Sequence, residues 1–456
     1  MRKKYKLTSD CFIVPLEKDN DGYIAYFPFE TLIFEINKSG AELLQLLKKQ
    51  NNLIANKENI EFLNQLELLG VVNGKQKAEP FYKTTEKPQP EGVLLMTSDR
   101  CNLNCLYCYR AAEKIGDNMP IEIAYSAIDE VFENVVKNNK AVASVGYHGG
   151  GEPTMNWDVL VQSLNYAKQK AKENNKKLTT TICTNGVMSK TKALWLSQNI
   201  ANISVSIDGN AEIHNLQRPL INGSGSFNFV AKTLDLLDKN QKIYSIRLTA
   251  TKHTENKLSE MVVFLTERFN PKTICIEPLF SCGRCETSGC EAPEQNLFIE
   301  EMKRVYKIGS ERGVGIFYSG NRITALTNRF CGAIGSNFFI TPRGEVTSCL
   351  EVSQKSDPRS AIFIYGKYNS VSKFFDYNLD RYKKLSTFQV NNLKGCEDCI
   401  AKWHCGGECI SKVPDHNDIA GKRNLYRCNI NKQLITFLLH KVMNKQIELT
   451  QLKIFS

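Results

Sequence analysis

Between residue 10 and about residue 75 the apolar positions fall into three short alternating runs, "CFIVPL", "GYIAYFPF" and "TLIFEIN". Two stretches with helical spacing follow, "AELLQLLKK" and "NIEFLNQLELLGVV", and Gly74 closes the series. Period-two alternation predicts strands and the 3.6-residue spacing predicts amphipathic helices. Residues 1–75 are therefore expected to form a small α+β module of three strands and two or three helices. The next stretch, "KQKAEPFYKTTEKPQPEG", has no periodicity and is rich in Lys, Pro and Thr, which reads as a linker over 76–92.

From residue 93 strand-like and helix-like patterns alternate with regularity. "VLLMT", "VASVGYH", "LTTTICT", "NISVSID", "YSIRLTAT" and "TICIEPL" are separated by helical stretches such as "IEIAYSAIDEVFENVVK" and "FNFVAKTLDLLDKN". Six βα units over 93–280 imply a parallel sheet covered by helices, either doubly wound or curled into a full or partial barrel. The expected fold is α/β, a partial (β/α)6 TIM-like barrel, with chemistry at the C-terminal ends of its strands. Residues 281–330 form a bridging region with one long helix, 331–430 a loop-rich domain, and 431–456 a final helix. A loop-rich region with few apolar stretches needs staples.

Composition changes this picture in one respect. With 42% hydrophobic and 23% charged residues the chain is ordinary for a globular protein, and its net charge of +11 is spread along the sequence. No apolar run is long enough to span a membrane, and the start "MRKKYKLTSDCFIVPL" lacks a secretory pattern, so a cytoplasmic protein is expected. The sixteen cysteines are the exception. In a reducing compartment they point to metal ligation ahead of disulfides. Most are clustered, while Cys11, Cys183 and Cys275 stand alone in apolar, strand-like settings and read as small buried hydrophobes.

Three thiols lie on one loop after the first barrel strand, "SDRCNLNCLYCYR", at Cys101, Cys105 and Cys108. A four-iron cluster takes one thiolate per iron, so this set would leave one iron open, whereas structural zinc wants a closed set of four. The C-x3-C-x2-C spacing, with Tyr107 before the last cysteine, resembles the cluster loop of the radical S-adenosylmethionine (SAM) enzymes. "HGGGEPT" at the end of the second strand resembles the motif in which Gly150, Gly151 and Glu152 hold the SAM amino group. "CTNG", "SVSIDG" and "HNLQRP" resemble the later SAM-binding strand ends, at Thr184, Asn185, Ser206, Asp208 and Arg218. The resemblance implies reductive cleavage of SAM to a 5′-deoxyadenosyl radical that abstracts a hydrogen atom from substrate.

The C-terminal cysteines run Cys331, Cys349, Cys396, Cys399, Cys405, Cys409 and Cys428. Their spacing resembles the SPASM domain of radical SAM enzymes that modify peptides and proteins, which holds two auxiliary clusters, making three [4Fe-4S] clusters in all. By position, Cys396, Cys399, Cys405 and Cys428 would hold the distal cluster and Cys331, Cys349 and Cys409 the proximal one. "CGAIGSNFF" lacks the additional cysteine of some family members, so the proximal cluster would keep an open iron for a substrate thiolate. Leu350 stands where sulfatase-maturing relatives carry an aspartate, which speaks against that activity. Cys282, Cys285 and Cys290, in "SCGRCETSGC", depart from the family pattern; zinc binding, ligation of a neighbouring cluster and a redox-active or merely exposed loop all stay open.

The N-terminal module is winged-helix-like in proportion and resembles the PqqD-like elements that bind leader peptides as an added strand. Together these resemblances imply a peptide maturase acting on a ribosomally made precursor peptide. Thioether formation from cysteine sulfur to carbon is favoured over carbon-carbon crosslinking or epimerisation. Its electron donor would be a flavodoxin or ferredoxin. Glu277, Glu351 and His404 are candidate general bases. The alternative from another class is a zinc protein that binds nucleic acid, disfavoured because the module is not conspicuously basic.

Overall fold

Alternation in the first forty residues is realised as strands. The computed structural model describes residues 3–16, 22–50, 52–82, 85–110, 116–280, 283–421, 423–444 and 453–455. After a short β1 (Lys4–Tyr5), strands β2 (Phe12–Pro15), β3 (Gly22–Phe27) and β4 (Leu32–Asn37) make an antiparallel sheet in the order β2-β3-β4. Helix α1 (Lys38–Gln50) follows directly, then β5 (Leu53–Ile54), which pairs with β1, and α2 (Ile60–Leu68). Leu44 and Leu47 on α1 and Leu63 and Leu66 on α2, each pair three residues apart, share one core with Tyr5, Ala25 and Phe27. Cys11 is fully buried in that core, as expected of a small hydrophobe.

The βα series runs β6 (Gly92–Leu95), α3 (Ile121–Lys137), β7 (Val142–Tyr147), α4 (Trp157–Glu173), β8 (Lys177–Thr184), α5 (Lys190–Asn199), β9 (Asn202–Ser206), α6 (Ala211–Gln217), α7 (Phe227–Lys239), β10 (Tyr244–Ala250), α8 (Leu258–Arg268) and β11 (Thr273–Pro278). Downstream come α9 (Cys285–Ser288), α10 (Gln295–Arg312), β12 (Gly315–Phe317), β13 (Ala325–Thr327), β14 (Phe339–Ile340) and β15 (Glu345–Thr347). The chain ends with α11 (Ser360–Phe363), β16 (Ile364–Tyr368), β17 (Phe375–Tyr377), α12 (Leu379–Leu385), α13 (Lys402–Cys405), α14 (Leu425–Met443) and β18 (Lys453–Phe455).

Strands β6 to β11 are parallel and lie side by side in sequence order. A doubly wound sheet needs a reversal of strand order, so the singly wound arrangement of a partial (β/α)6 barrel is the one that fits. The sheet is longer than six strands: β12 adds in parallel to β11, and β14 adds in parallel to β6, followed by antiparallel β15, β16 and β17. The result is an α/β fold around one large, mostly parallel sheet.

The barrel strands are less uniformly apolar than their sequences suggest. Ile182, Val205, Ile246, Leu248, Ile274 and Ile276 are buried, while Cys183, Ser204, Ser206, Arg247, Thr249, Cys275 and Glu277 alternate with them on a more open face. Cys183 and Cys275 thus depart from the expected apolar burial: strand alternation turns them onto the polar face beside Arg247 and Glu277.

The chain forms two units, one of residues Met1–Tyr82, Gly320–Phe330 and Gln389–Ser456, the other of Lys83–Ser319 and Cys331–Phe388. The second unit contains the whole eleven-stranded sheet. In the first, the N-terminal module packs on the cysteine-rich segment: Asp10 accepts from Lys402 Nζ at 2.9 Å and Trp403 Nε1 at 2.8 Å, and Phe29 meets Trp403 edge-on. Among the described residues no helix is long and apolar enough to cross a membrane.

Candidate active site

The loop leaving β6 is held by backbone bonds that leave its thiols free to ligate. Asn104 N–H donates to Pro219 O at 2.8 Å and Leu106 N–H to Gln217 O at 2.9 Å, laying the loop against the segment after α6. On its other side, Gly151 N–H donates to Ser98 O at 2.7 Å and Glu152 N–H to Arg100 O at 2.8 Å. A Cβ on Gly151 would lie 1.9 Å from Arg100 O, so only glycine permits this approach. The Gly-Gly-Glu turn is therefore bonded directly to the cysteine loop. Cys101, Cys105 and Cys108 are partly open, and Cys101 Sγ accepts from Leu103 N–H at 3.4 Å and Asn185 Nδ2 at 3.7 Å. A neutral thiol is a poor acceptor, so amide donors aimed at sulfur suit a thiolate ligand. Burial pushes the free Cys101 and Cys105 thiols up to about 12 and about 11, so a bound metal would have to displace their protons.

Glu152 is buried, and its side chain ties the end of β7 to the end of β8. Its Oε1 accepts from Thr184 Oγ1 at 2.7 Å, Thr154 Oγ1 at 2.9 Å and Thr154 N–H at 3.2 Å, and its Oε2 from Asn185 N–H at 2.7 Å. Burial holds its carboxyl above the usual range against these bonds. Asn185 Nδ2 also donates to Asn102 Oδ1 at 2.7 Å, closing a chain of contacts from the third strand end to the cysteine loop. At the fourth strand end, Tyr107 OH donates to Asp208 Oδ2 at 2.5 Å and accepts from Arg218 Nη1 at 2.5 Å. Asp208 Oδ1 accepts from Thr249 N–H at 3.1 Å, so both its oxygens are occupied. Burial raises the Asp208 carboxyl, opposed chiefly by Arg218. The expected cofactor residues Tyr107, Gly150, Gly151, Glu152, Thr184, Asn185, Asp208 and Arg218 are thus joined to the cysteine loop, and Ser206 is left partly open on the polar face of β9. Much of this set builds the wall of the site: Thr184 and Asp208 are almost wholly covered by protein.

In the first unit, Cys396 and Cys405 are buried and Cys399 and Cys428 partly open. Cys405 Sγ accepts from Glu408 N–H at 3.1 Å and Asn431 Nδ2 at 3.3 Å, again a thiolate-like setting. Glu408 has a left-handed backbone (φ 64°), fixed by Arg427 Nε at 2.5 Å and Asn431 Nδ2 at 2.6 Å on its carboxylate. Cys409 of this unit lies 3.1 Å from Ser411 Oγ. In the second unit Cys331 is exposed, with Ala333 N–H 3.4 Å from its sulfur, and Cys349 is partly open. Among the described residues no group of three or more His, Cys, Asp or Glu converges as a single-ion site.

Residues 95–265 match the pattern of the radical SAM superfamily. The chain carries a radical SAM domain. Through that domain it is an enzyme. Over 95% of its length it is 22% identical to the radical SAM cyclopropyl synthase TigE of Paramaledivibacter caminithermalis, covering 96% of that protein. It is 29% identical to a cysteine-type anaerobic sulfatase-maturating enzyme of Clostridium perfringens over 76% of its length and 95% of the relative's. Among solved structures it resembles native anSMEcpe with bound AdoMet and Cp18Cys peptide (TM-score 0.62, 20% identity, 78% of this chain and 99% of that one). It also resembles Streptococcus suis SuiB bound to precursor peptide SuiA (TM-score 0.51, 16% identity, 93% and 99%). At these identities the two structures speak to the fold.

Within and beside the radical SAM domain the candidate bases differ sharply. His404 is fully buried: its Nδ1 faces Arg322 O at 3.0 Å and Ala325 O at 3.1 Å, and its Nε2 lies 2.8 Å from Tyr26 OH. Two carbonyls place the proton on Nδ1 and leave Nε2 to accept from Tyr26, so no nitrogen is free to act as a base. Both nitrogens of His404 are therefore engaged in cross-links within the first unit, a setting that suits structure better than the expected base. Glu277, on the polar face of β11, accepts from Ser319 N–H at 2.9 Å and Oγ at 2.8 Å, and Glu351 pairs with Arg359 at 3.4 Å.

Sequence reasoning passed over Arg247, exposed on β10 in register with Ser206 and Cys275. Cys183 is brought to about 7 although burial opposes ionisation, because His148 and Arg247 outweigh it. The available signal was the polar alternation within "SIRLTAT".

Burial also depresses His404 to about 4 from 6.5. Between those values the unfolded chain binds a proton that the folded one refuses, so stability should fall on acidification through pH 6.5 to 4, by roughly 3 kcal/mol in total. Urea unfolding of the wild type and His404→Gln at pH 7 and pH 5 checks this: the acid-induced loss should be smaller in the variant.

Proposed function

We propose that this radical SAM enzyme modifies a ribosomally made precursor peptide, forming a thioether from a cysteine sulfur to a carbon of another residue. The observation that carries the radical chemistry is the bonded network from Cys101 through Asn185 to Glu152. Cys101, Cys105 and Cys108 would hold the four-iron cluster, and Glu152, Ser206 and their neighbours would orient SAM. When bound and reduced, that pair supplies a 5′-deoxyadenosyl radical for hydrogen abstraction. The chain's own part is to fix the loop, line the polar sheet face with Arg247, Thr249 and Glu277, and exclude water.

The fold shared with anSMEcpe, solved with bound Cp18Cys peptide, and with SuiB, solved bound to precursor peptide SuiA, supports a peptide substrate. Cys396, Cys399, Cys405 and Cys428 would hold a distal auxiliary cluster. Cys331, Cys349 and Cys409, read from the SPASM resemblance, are the candidates for a proximal one. Residues 1–75 would bind the leader at a sheet edge, as an added strand. The electron would come from a flavodoxin or ferredoxin in the cytoplasm. Leu350 packs against Gly149, its Cδ2 3.1 Å from where a Cβ would be, so an apolar group stands where a sulfatase maturase has its aspartate.

Anaerobic protein given reductant and SAM should release 5′-deoxyadenosine. Co-expression with a short, cysteine-containing reading frame beside its gene should yield a peptide lighter by two hydrogens, with one thiol no longer alkylatable. An unchanged mass with an inverted residue would point to epimerisation, and a mass loss with all thiols free to a carbon-carbon bond.

A further inference from the structure

The segment "SCGRCETSGC" belongs to no expected ligand set, and Cys282 lies outside the described residues. From Gly283 onward the chain lies on the cysteine loop itself. Gly283 has φ +64°, and a Cβ there would be 2.3 Å from Tyr109 O. Arg284 N–H donates to Cys108 O at 2.9 Å, Arg284 Nη1 to Cys105 O at 2.9 Å, and Ser288 Oγ to Leu106 O at 2.8 Å. Cys285 and Cys290 are buried with Leu279 and pack on Leu106 and Tyr107. One short strap, distant in sequence, thus caps three carbonyls of the loop, two of them belonging to cysteines expected to bind iron.

The strap also delivers charge. Three guanidiniums border the loop: Arg110 lies on it, Arg218 Nη1 donates to Tyr107 OH, and Arg284 Nη1 to Cys105 O. Arg110 is neutralised by Asp99 at 2.6 Å, and Arg218 shares a buried cluster with Asp208 and Tyr107. Arg284 meets no carboxylate among the described residues; its guanidinium spends one donor on the Cys105 carbonyl. A cation that meets no carboxylate among the described residues, next to two partly buried thiolates, favours any state of the cluster that carries more negative charge.

We propose that Arg284 is a positioning residue of the radical SAM domain: it holds the Cys105–Cys108 turn in ligating shape and raises the reduction potential of the cluster held there. This rests on the radical SAM reading. In the step concerned, one electron passes from the external iron-sulfur or flavin donor to the cluster, which gains one negative charge beside the guanidinium; no bond or proton is exchanged.

The test is an electron paramagnetic resonance redox titration of the reconstituted full chain, following the signal that changes when SAM is added. In Arg284→Gln, at the wild-type midpoint, the ratio of reduced to oxidised cluster should fall about tenfold, a shift of about 59 mV for a one-electron couple. Arg284→Lys, which keeps the charge, should restore most of it with wild-type iron content. A wild-type midpoint in Arg284→Gln overturns the proposal. If Arg284→Gln holds no cluster, Arg284→Lys decides: wild-type iron and midpoint support the role, and their loss overturns the electrostatic part. A wild type with no SAM-responsive signal would instead remove the radical SAM reading itself.

Discussion

Changing Cys101, Cys105 and Cys108 together to alanine is expected to reduce 5′-deoxyadenosine formation to baseline and to remove about four irons per chain, one cluster, without unfolding the protein. The thiols are partly open, so truncating them leaves no large cavity, and each change should cost on the order of 1 kcal/mol or less. The loop is held by backbone bonds that survive the change: Asn104 N–H to Pro219 O, Leu106 N–H to Gln217 O and Gly151 N–H to Ser98 O. Circular dichroism and thermal unfolding should therefore match the wild type, while iron analysis and chromatography of the SAM-derived products do not. Cys11→Ala is the matched control. That side chain sits in the apolar core of the N-terminal module and should leave iron and activity unchanged. Persistent 5′-deoxyadenosine in the triple variant would contradict the assignment of the loop.

The βα units are legible in the sequence because each strand keeps a buried stripe and each helix a 3.6-residue one, and the parallel, in-order sheet follows from repeating that unit. The extension of the sheet is not legible: β12, β14 and β15 have only two or three residues each, too few to show a period, and they join by pairing with β11, β6 and β14 respectively. The cysteine loop and the Gly-Gly-Glu turn are legible because sulfur ligation and close backbone approach demand particular residue types at fixed spacing. Their mutual bonding is not, since Gly151 and Ser98 are brought together by neighbouring strands. The enclosure of His404 has the same origin. A histidine beside cysteines in sequence resembles a catalytic or ligating group, and only the fold shows Tyr26 and two carbonyls closing on both nitrogens. Cys183 and Cys275 take the polar face although their neighbours, Ile182 and Thr184 and Ile274 and Ile276, give no sign of which sheet face a cysteine there takes.

Arg427→Met is expected to destabilise the first unit by about 3–5 kcal/mol and to lower bound iron by about four per chain, one auxiliary cluster. The SAM-responsive signal of the loop cluster should survive. Arg427 and Glu408 are both almost fully buried, with Nε and Oε1 2.5 Å apart. Removing the guanidinium alone leaves a carboxylate enclosed without its charge partner, which costs more than the pair contributes to stability. The consequence reaches the sulfur because Glu408 is the residue whose N–H donates to Cys405 Sγ, and whose left-handed backbone the ion pair helps to hold. Asn431, which bridges Glu408 Oε2 and Cys405 Sγ, would be pulled from one partner or the other. The double variant Glu408→Gln with Arg427→Met removes the uncompensated charge and should recover much of the stability. Its iron content then separates two effects: recovery of stability with iron still missing means that the pair acts on the ligand geometry at Cys405, whereas recovery of both means that the single variant lost iron only by unfolding.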